Sequence, residues 1–383
     1  MARLRRLSAK VERRGVRATV GSRLYRWRQC LAALSAPPAT VAAVRGMTGK
    51  GAARQWAERT VLVLRYRFNA AFYYDQCLFE DGRYRRAGDW ISHRQLASLT
   101  NALNPDDRKA LTDDKALFAR HCAEQGIPHP PTLGVWDPAR EDRPAFDAAF
   151  RAAARGPGVV CKQQGGTRGE GMAILRLADP DRWSMAVDGR PEAETDWAAI
   201  RRWLGEHRTP YLCQVRLLNH AALRQFGETP LHTARLLTAC RGGEAWVLLA
   251  AWRIGRAGGV ADNFKRGGLA FAVDPITGRL GRGTVFAVTC LPGSRDRSDG
   301  GIPVEGRTLP LWQPVRDMAL AVHRTFPDFR FLCHDIAITD QGALAVEANQ
   351  VWSVDLLQKV HDRGLGATAF LEHALEAVRE AGL

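Results

Sequence analysis

Residues 331–349 read FLCHDIAITDQGALAVEAN, which is the pattern of two apolar strands joined by a tight turn. A three-residue loop centred on Gln341 would place Asp335 directly opposite Glu347. An even-numbered loop would instead move Asp335 to the opposite face of the hairpin, because side chains alternate along a strand. The stretch therefore predicts a hairpin that carries two acidic side chains next to each other.

The same register pairs Cys333 with Asn349 and divides the hairpin into two faces. The core face is expected to hold Leu332, Ile336, Ile338, Leu344 and Val346, and the other face Asp335, Glu347 and Asn349 with Ala337, Ala343 and Ala345. Two facing carboxylates destabilise a sheet unless a cation lies between them. Carboxylates, an amide oxygen and a floor of small residues suit Mg²⁺ that bridges to phosphates. The alternative is a solvated polar face with coincidental acids.

A glycine-rich loop follows a second predicted strand. This strand, residues 159–162, ends in Lys162, and the loop runs from Gly165 to Gly171. A Walker loop has its lysine after the glycines, and the order is also wrong for a dinucleotide-binding G-x-G-x-x-G. A glycine loop between two strands can fold over a triphosphate with its backbone N–H groups facing the anion. The alternative is a flexible hairpin tip.

Lysine is rare in this chain, which has seven lysines among 55 basic residues. Lys115 follows the capping residues 112–114, at the start of a helix expected to end near Gln125. Lys115 and Lys162 lie in apolar surroundings, where a compact ammonium can meet phosphate oxygens. The alternative is that compositional drift alone explains why lysine is rare in this chain.

A lysine on a capped helix, a lysine before a glycine lid and a hairpin with D…E-x-N together resemble the ATP-grasp superfamily. Within it, the chain is similar to the sugar-transfer associated ATP-grasp family over roughly residues 85 to 375. The segments that carry the resemblance are 231–238, 252–255, Asp262-Asn263, 267–269, Val273-Asp274, 333–339 and 347–349. Cys333-His334 departs from the family pattern, in which Gly-Trp is usual, and the pattern says nothing about residues 1 to 85.

The resemblance implies an α+β fold in which two α+β lobes grip ATP between them. It places the ATP phosphates against Lys115, Lys162, Gly165 and Gly166. The adenine amino group would meet Gln214, and residues 215–217, which end in Leu217, would form the hinge beside it. Mg²⁺ would be bound by Asp335, Glu347 and Asn349. ATP and Mg²⁺ are therefore the expected cofactors.

Two arginines lie on adjacent predicted strands among apolar residues. Arg235 and Arg253 are expected to be buried, and a buried arginine is rare without an anionic partner. A phosphate or carboxylate partner is favoured, and Arg253 would stabilise the oxygens of a reaction intermediate. A structural ion pair is the alternative.

One loop and three histidines complete the candidate residues. Asp262-Asn263, followed by Gly267-Gly268, predicts an ordered catalytic turn near the site, with a plain loop as the alternative. The histidines His220, His232 and His334 have no mutual spacing typical of a metal site or a catalytic triad, so we expect them to be structural.

Length and composition favour a globular protein of several lobes. The chain has 383 residues and 42.3 kDa, enough for two or three packed lobes. A hydrophobic fraction of 46% with 25% charged residues excludes wholesale disorder, collagen and coiled-coil fibre. We expect a basic helical N-terminal extension over residues 1–85, a first ATP-grasp lobe over 86–213 and a second over 214–383.

Nothing in the sequence indicates export. No stretch approaches about 18 uncharged apolar residues, so a transmembrane helix is not expected, and the N-terminus has no apolar h-region typical of a signal peptide. The eight cysteines are scattered without a CxxC pair and are interpreted as reduced cytosolic thiols. A cytoplasmic location is predicted, with attachment to the inner face of the membrane as a further expectation.

The positive charge is concentrated at the N-terminus. Between Met1 and Cys30, ten basic residues stand against Glu12 alone, in a chain of net charge +15. Residues 1–30 are therefore expected to bind an anionic membrane or glycan surface, and a solvated helical extension is the alternative. A nucleic-acid partner is not expected, because no nucleic-acid module or basic–aromatic repeat follows.

The resemblance implies an ATP- and Mg²⁺-dependent carboxylate–amine ligase that acts through an acyl phosphate. The family name suggests glycan or cell-surface polymer pathways, in which a small-molecule or glycan-linked carboxylate is joined to an amine. Two alternatives are a small-molecule kinase and a nucleotide-binding scaffold subunit at an acidic membrane or glycan surface.

Overall fold

The computed structural model describes residues 27–137, 144–165, 171–179, 182–187, 190–206, 209–256, 258–287 and 291–382. Its strands form two six-stranded antiparallel sheets accompanied by helices, so the predicted α+β class is confirmed. Sheet I consists of β1 (Thr132–Trp136), β2 (Val159–Gln163), β3 (Ala173–Asp179), β4 (Arg182–Val187), β5 (Arg190–Thr195) and β6 (Tyr211–Val215), in the order β1-β6-β2-β3-β4-β5. Sheet II consists of β7 (Thr233–Arg241), β8 (Glu244–Ile254), β9 (Leu269–Val273), β10 (Leu280–Val285), β11 (Phe331–Thr339) and β12 (Gly342–Asn349), in the order β10-β9-β8-β7-β11-β12.

The helices precede, separate and follow the strands. They are α1 (Pro38–Thr48), α2 (Ala52–Tyr66), α3 (Phe72–Asp75), α4 (Asp81–Arg85), α5 (His93–Leu103), α6 (Ala110–Asp113), α7 (Lys115–Glu124), α8 (Pro144–Arg155), α9 (Trp197–Glu206), α10 (Trp312–Arg324), α11 (Val354–Val360) and α12 (Ala369–Glu380). The predicted cap of α7 is present, because the Asp114 carboxylate accepts hydrogen bonds from the backbone N–H groups of Ala116 and Leu117 at 2.8 and 3.1 Å.

Sheet I has its own core, formed with the two helices that lie on it. Leu175 and Trp183 of the sheet pack with Phe150 of α8 and Ile200 of α9, and all four side chains are buried. Sheet II is buried on both faces, which explains why every residue of β11 is buried.

The two faces of β11 meet different helices. Ile336 packs with Val315 of α10 on one face. Cys333 packs with Leu357 of α11 and Phe370 of α12 on the other face. Asp335 shares the face of Cys333, so its side chain belongs to the side of sheet II that faces α11.

The hairpin has the predicted pairing of Asp335 with Glu347, but its turn is shorter than predicted and it contains a β-bulge. The turn has two residues, since Thr339 pairs with Gly342, so the predicted three-residue loop is wrong. A β-bulge then leaves Val346 as an extra residue, and beyond it Asp335 pairs with Glu347 as predicted. Without the bulge Glu347 would have faced the α10 core, so the bulge is what brings the two carboxylates to one face.

The bulge also changes which residues share a face. Leu332, Ile336 and Ile338 lie in the core with α10 as predicted, but Ala343 and Ala345 join them there and Val346 lines a cavity. Leu344 pairs with Ala337 and so shares the face of Asp335. The predicted faces of Ala343, Leu344, Ala345 and Val346 are therefore wrong. The reason is that the two-residue turn shifts the pairing of residues 343–345 by one, which exchanges their faces, and the bulge restores the predicted pairing only from Glu347 onward.

The N-terminal segment is packed onto the second half of the chain. Its own core includes Leu62, Phe68 and Tyr73. The backbone N–H and C=O of Ile91 bond the Gln358 side chain at 3.0 Å each. Residues 27–85 are helical as expected, while residues 1–26 of the basic segment lie outside the described residues. The division at residues 85 and 213 stays a prediction, and its second boundary falls inside β6.

Among the described residues, no single helix has the length and apolar composition to span a membrane, although the bent pair Trp27–Ala33 and Pro38–Thr48, at 63°, passes that test together. The seven cysteines that the structure describes form no disulfide. Cys290 lies outside the described residues.

Candidate functional site

A cavity of about 640 Å³ lies between the two sheets. Sheet I contributes Lys162 and Gln214 to its wall, and sheet II contributes Arg235, Asp335 and Glu347. A volume of this size is typical of a small-molecule site. The predicted residues that line it are Lys115, Lys162, Gln214, Leu217, Arg235, Arg253, Asp262, Asn263, Asp335, Glu347 and Asn349. Their roles towards a ligand stay predictions.

Two predicted residues are not brought to this wall. Gly165 lies on an exposed turn after β2 and is absent from the cavity lining within the described part of the chain. Gly166 and the rest of the loop up to residue 170 lie outside the described residues. The glycine lid therefore stays a prediction.

The pairing of three strands builds the centre of the site. Arg235 of β7 stands beside Asp335 of β11, which stands beside Glu347 of β12. Arg235 donates from Nε and Nη2 to the two oxygens of Asp335, both at 2.7 Å. Arg253 of β8 adds a contact from Nη2 to Asp335 Oδ2 at 2.9 Å. Both arginines thus converge on one carboxylate.

A second carboxylate holds Arg253 from the other side. Asp262 Oδ1 lies 3.1 Å from Arg253 Nη2, and its Oδ2 accepts from the Thr233 hydroxyl at 2.5 Å and the Thr233 backbone N–H at 3.0 Å. The predicted ordered turn after Asp262 is present. Gly268 suits this turn, because a Cβ atom there would lie only 3.0 Å from the Asn263 carbonyl oxygen, closer than an ordinary van der Waals contact.

These contacts decide the ionisation of the two aspartates. Burial alone would raise the pKa of Asp335, but Arg235 and Arg253 outweigh it and lower this pKa to about 2. For Asp262 burial is the stronger influence and raises the pKa, although Arg253 opposes it. Asp335 is therefore a permanent anion near neutral pH, whose cationic partners come from the protein itself.

The arginine contacts correct one step of the sequence interpretation. Facing carboxylates at Asp335 and Glu347 seemed to require a metal, but Arg235 and Arg253 already compensate Asp335. The ion pair that was the alternative for these arginines is present in the structure. The sequence did not identify Asp335 as the partner, because it lies 100 residues from Arg235 on another strand.

The oxygen ligands that Mg²⁺ requires are nevertheless present. Glu347 and Asn349 both line the cavity on β12. A carboxylate has about four lone-pair positions, and the arginines use one on Asp335 Oδ1 and two on Oδ2. One position on Oδ1 thus remains for a metal. Glu347, Asn349 and this oxygen fit a hard cation that keeps several waters or phosphate oxygens.

The two predicted lysines approach the same carboxylates. The Lys115 Nζ atom lies 3.9 Å from Glu347 Oε1. Burial lowers the pKa of Lys162 to about 8; Lys115 adds to this effect, whereas Glu347 and Asp335 oppose it. Lys162 is thus an incompletely compensated ammonium, which an anionic ligand would stabilise.

The net charge of this end of the cavity favours an anion. Four cationic side chains stand against the three carboxylates of Asp262, Asp335 and Glu347. The cationic residues are Lys115, Lys162, Arg235 and Arg253. A phosphate-bearing ligand is attracted by this balance, whereas a free divalent cation is not.

Gln214 has part of its side chain already engaged. Its Nε2 group donates to the Pro130 carbonyl oxygen at 3.3 Å and to Thr132 Oγ1 at 3.1 Å. A flipped amide would place the Oε1 acceptor against the Pro130 carbonyl oxygen, which is also an acceptor, so the orientation is determined. The group that Gln214 can offer an adenine amino group is therefore its Oε1 acceptor, which agrees with the predicted direction of that bond.

A profile of the sugar-transfer associated ATP-grasp family matches residues 94–373, most of the chain. The chain belongs to this family. The resemblance inferred from the motifs is confirmed, and the fold with its two lobes is the ATP-grasp fold. No curated protein matches the sequence of this ATP-grasp protein.

Several solved structures are similar to the ATP-grasp protein in outline. A D-alanine–D-alanine ligase from Bacillus anthracis complexed with ATP has a TM-score of 0.41 at 13% identity, covering 71% of this chain and 68% of that chain. The D-cycloserine synthetase DcsG has a TM-score of 0.41 at 12% identity, covering 77% and 79%. An L-amino acid ligase from Bacillus licheniformis has a TM-score of 0.39 at 8% identity, covering 70% and 49%. At these scores the similarities add nothing to the family assignment.

The three histidines that the sequence singled out lie away from the cavity of this ATP-grasp protein. None of His220, His232 and His334 lines it within the described part of the chain. His334, where the family usually has Trp, is buried on the α10 side and bonds Thr238 Oγ1 at 2.8 Å, and His323 reaches the same oxygen at 2.6 Å. These contacts agree with the structural interpretation.

Sequence reasoning missed one part of the wall entirely. Asn69, Phe72, Asp75, His93, Lys265, Ser353 and Asp355 also line the cavity. The first four precede the family match, so no family motif could have marked them. Asp355 stands shortly after the D…E-x-N hairpin, and that proximity is the only sequence signal that pointed to it.

Proposed function

We propose that the protein is an ATP- and Mg²⁺-dependent ligase that joins a carboxylate to an amine through an acyl phosphate. The observation that carries the proposal is the cavity between the lobes, whose cationic end also holds hard oxygen ligands. Family membership supports ATP as the nucleotide. Lys115 and Lys162 would contact its phosphates, and Gln214 Oε1 its adenine amino group.

The first step transfers a phosphoryl group. A carboxylate oxygen of the substrate attacks the γ-phosphorus, the bond to the β,γ-bridging oxygen breaks with its electrons, and ADP leaves. Lys162 and Lys115 neutralise charge on the moving group, and no side chain forms a covalent bond. Mg²⁺ held by Glu347, Asn349 and the remaining lone pair of Asp335 would neutralise further phosphate charge.

The second step forms the amide. The neutral amine attacks the acyl carbon, the carbon–oxygen bond to phosphate breaks with its electrons, and the amine proton passes to solvent or phosphate. Arg253 uses Nε and Nη2 for its protein contacts, while its Nη1 makes no hydrogen bond with a described residue. That N–H group can donate to the oxyanion that develops at the acyl carbon.

Measuring ADP release with each candidate substrate alone and with pairs of substrates tests this proposal. ADP release that requires both a carboxylate and an amine supports the ligase. Dependence on a hydroxyl acceptor instead would identify a kinase, and ATP binding without turnover would identify a nucleotide-binding scaffold. The readout is coupled ADP production by the full chain with pairs of candidate substrates.

The substrates and location are proposals of the same kind. The name of the family supports a glycan-linked carboxylate, and therefore a role in polysaccharide or cell-surface polymer modification on the cytoplasmic side. Attachment to an anionic membrane is supported by exposed apolar side chains at the end of the basic segment and just after it in sequence. Trp27, Leu31 and Leu34 are 69%, 59% and 56% exposed.

A further inference from the structure

The residues that line the cavity differ in exposure from one end to the other. Arg253 and Asp335 at the cationic end are buried. Of the described residues that line the cavity, the exposed ones are Asn69, His93 and Lys265. We call these three residues the mouth, because a lining residue that is exposed lies where the cavity meets solvent. Two of them precede the family match, which begins at residue 94.

Contacts hold the mouth residues on one side of the cavity. Lys265 pairs with Asp355 at 2.5 Å, and the same carboxylate accepts from the Gln76 amide at 3.1 Å. Gln76 directly follows α3, and Asn69 precedes it, with its Oδ1 accepting from the N–H of the first α3 residue at 2.8 Å. His93 Nδ1–H donates to a backbone carbonyl of the loop before α11 at 3.3 Å. The mouth is therefore built by the N-terminal segment and the elements that it packs on.

A short helix over Trp27–Ala33 is fixed to the backbone beside the mouth. Its Gln29 side chain accepts a hydrogen bond from the Ala70 N–H at 2.9 Å. The buried Arg59 donates from Nε to the Ala70 carbonyl oxygen at 3.2 Å, and from Nη2 to the Ala32 carbonyl oxygen at 2.7 Å. Ala70 directly follows a residue of the mouth, so this helix stands at the rim of the cavity.

The outer face of this helix carries an apolar stripe. The stripe consists of Trp27, Leu31 and Leu34, whose spacing places them on one side of a helix. Each is more than half exposed. Ala33 belongs to the same buried cluster as Ala70, on the inner side. A helix with its side chains is about 10 Å across, so the stripe lies about that distance from the mouth.

The charge next to the stripe indicates which partner covers it. Residues 1–26 have nine basic side chains against Glu12 alone, and they lead directly into Trp27. Segments of this charge repel each other between two copies of the chain, whereas an anionic bilayer attracts them. Tryptophan favours the boundary between headgroups and acyl chains, where leucine side chains beside it also bury their apolar surface. An anionic bilayer therefore fits both the charge and the stripe.

We propose that the stripe docks the protein on an anionic bilayer and holds the mouth of the cavity at its surface, so that one substrate is anchored in the same bilayer. The polar head of this substrate enters at the mouth, and its reacting group extends to the cationic end, where the ATP phosphates would lie. Contacts at the mouth then involve a part of the substrate that does not react. The docking stands on the stripe and its charge, whereas the substrate class rests on the proposed function.

Flotation of the full chain with vesicles of phosphatidylglycerol and phosphatidylcholine in equal parts tests the docking. The double variant Leu31→Ser/Leu34→Ser should bind about tenfold more weakly, because two apolar side chains no longer enter the bilayer. Ile276→Ser is the matched control and should bind like the native protein, since Ile276 is exposed on the turn between β9 and β10. Equal binding by the double variant and the native protein would overturn the proposal.

Photo-cross-linking tests the orientation on the bilayer. A phosphatidylglycerol analogue with a photoactivatable head group is included in the vesicles, and the labelled peptides of the native protein are identified by mass spectrometry. Peptides that contain the stripe and Asn69 should be labelled, and the peptide that contains Ile276 should not. Labelling of the Ile276 peptide without the Asn69 peptide would show that the mouth does not face the bilayer.

Two other occupants of the stripe are distinguished by the same proteins. If a second copy covered it, light scattering would show a native dimer that the double variant converts to a monomer. If residues 1–26 covered it, their deletion would strengthen vesicle binding, and the double variant would have a lower thermal midpoint. Each of these results would overturn the proposal, which expects an unchanged oligomeric state and an unchanged midpoint.

The substrate class is tested with the carboxylate and amine that support ADP release. Each is supplied in soluble form and then linked to a palmitoyl chain in the vesicles. The double variant should turn over the soluble pair like the native protein but should lose about tenfold with the anchored substrate. Equal turnover of the anchored substrate by both proteins would refute the substrate class. If no pair supports ADP release, the ligase proposal fails, whereas flotation and cross-linking still decide the docking.

Discussion

Raising the pH from 7 to 9 should weaken the binding of ATP about tenfold, because Lys162 loses its proton over this range. Burial lowers the pKa of Lys162 from 10.5 to about 8, and bound phosphate would restore the higher value. Below pH 8 the lysine is already charged and affinity is complete. Above pH 8 the protein must take up a proton on binding, so the dissociation constant rises about tenfold per pH unit.

The assay is isothermal titration calorimetry with a non-hydrolysable ATP analogue and Mg²⁺ at pH 7, 8 and 9. Buffers of different ionisation enthalpy should show uptake of about half a proton at pH 8, where Lys162 is half protonated. Phosphates of the analogue are fully ionised from pH 8 upwards, so the lysine dominates the change between pH 8 and 9.

Two variants isolate the side chain. Lys162→Ala should raise the dissociation constant at pH 7 and remove the pH dependence. Lys162→Arg should also remove the pH dependence but restore little affinity, because a planar guanidinium does not replace a compact ammonium in a tight site. Lys109→Ala is the control, since Lys109 pairs with Asp106 outside the cavity. Equal affinities at pH 7 and 9, or an unchanged affinity in Lys162→Ala, would show that Lys162 does not contact the nucleotide.

Three further predictions concern the metal, the core and the N-terminus. Glu347→Gln should abolish ADP formation without changing the melting temperature. Asp335→Asn, in contrast, should cost about 3–5 kcal/mol in urea unfolding, because it leaves the buried Arg235 without a carboxylate partner and Arg253 with Asp262 alone. Burial lowers the pKa of His323 to about 4, so between pH 6.5 and 4 this histidine takes up a proton in the unfolded chain but not in the folded protein. Urea unfolding should therefore show that this residue lowers the free energy of unfolding by about 2 kcal/mol at pH 5. A free energy of unfolding that stays constant between pH 7 and 5 would contradict this prediction. Deletion of residues 1–26 should leave turnover unchanged but weaken binding to anionic vesicles. In the intact protein this binding should fall steeply as the salt concentration rises, and binding that does not depend on salt would contradict an electrostatic attachment.

The contrast between Asp335 and Glu347 follows from their partners. Asp335 is held by two arginines at 2.7 to 2.9 Å; Arg235 has no other ion pair with a described residue, and Arg253 has one, with Asp262 at 3.1 Å. Glu347 has one described partner, Lys115 at 3.9 Å, so its neutral variant leaves little uncompensated charge. Full ADP formation by Glu347→Gln at ordinary Mg²⁺ concentration would remove the metal assignment.

The sequence by itself determined the features that depend on neighbours along the chain. The cap at Asp114, the apolar strands around the hairpin turn and Lys162 at a strand end are local patterns, and each was predicted correctly in position. Such patterns are reliable because capping and the alternation of side chains act over a few residues. They were enough to identify the family and its fold.

The tertiary structure alone decided the features that depend on contacts between distant segments. The bulge at Val346, the arginine pairs of Asp335 and the wall around Asp75 arise from packing between strands and helices far apart in the chain. A turn of two residues and a bulge together give the same pairing as a loop of three, so no local pattern distinguishes them. Burial and electrostatic partners are set by which elements meet, and the properties of the site follow from them.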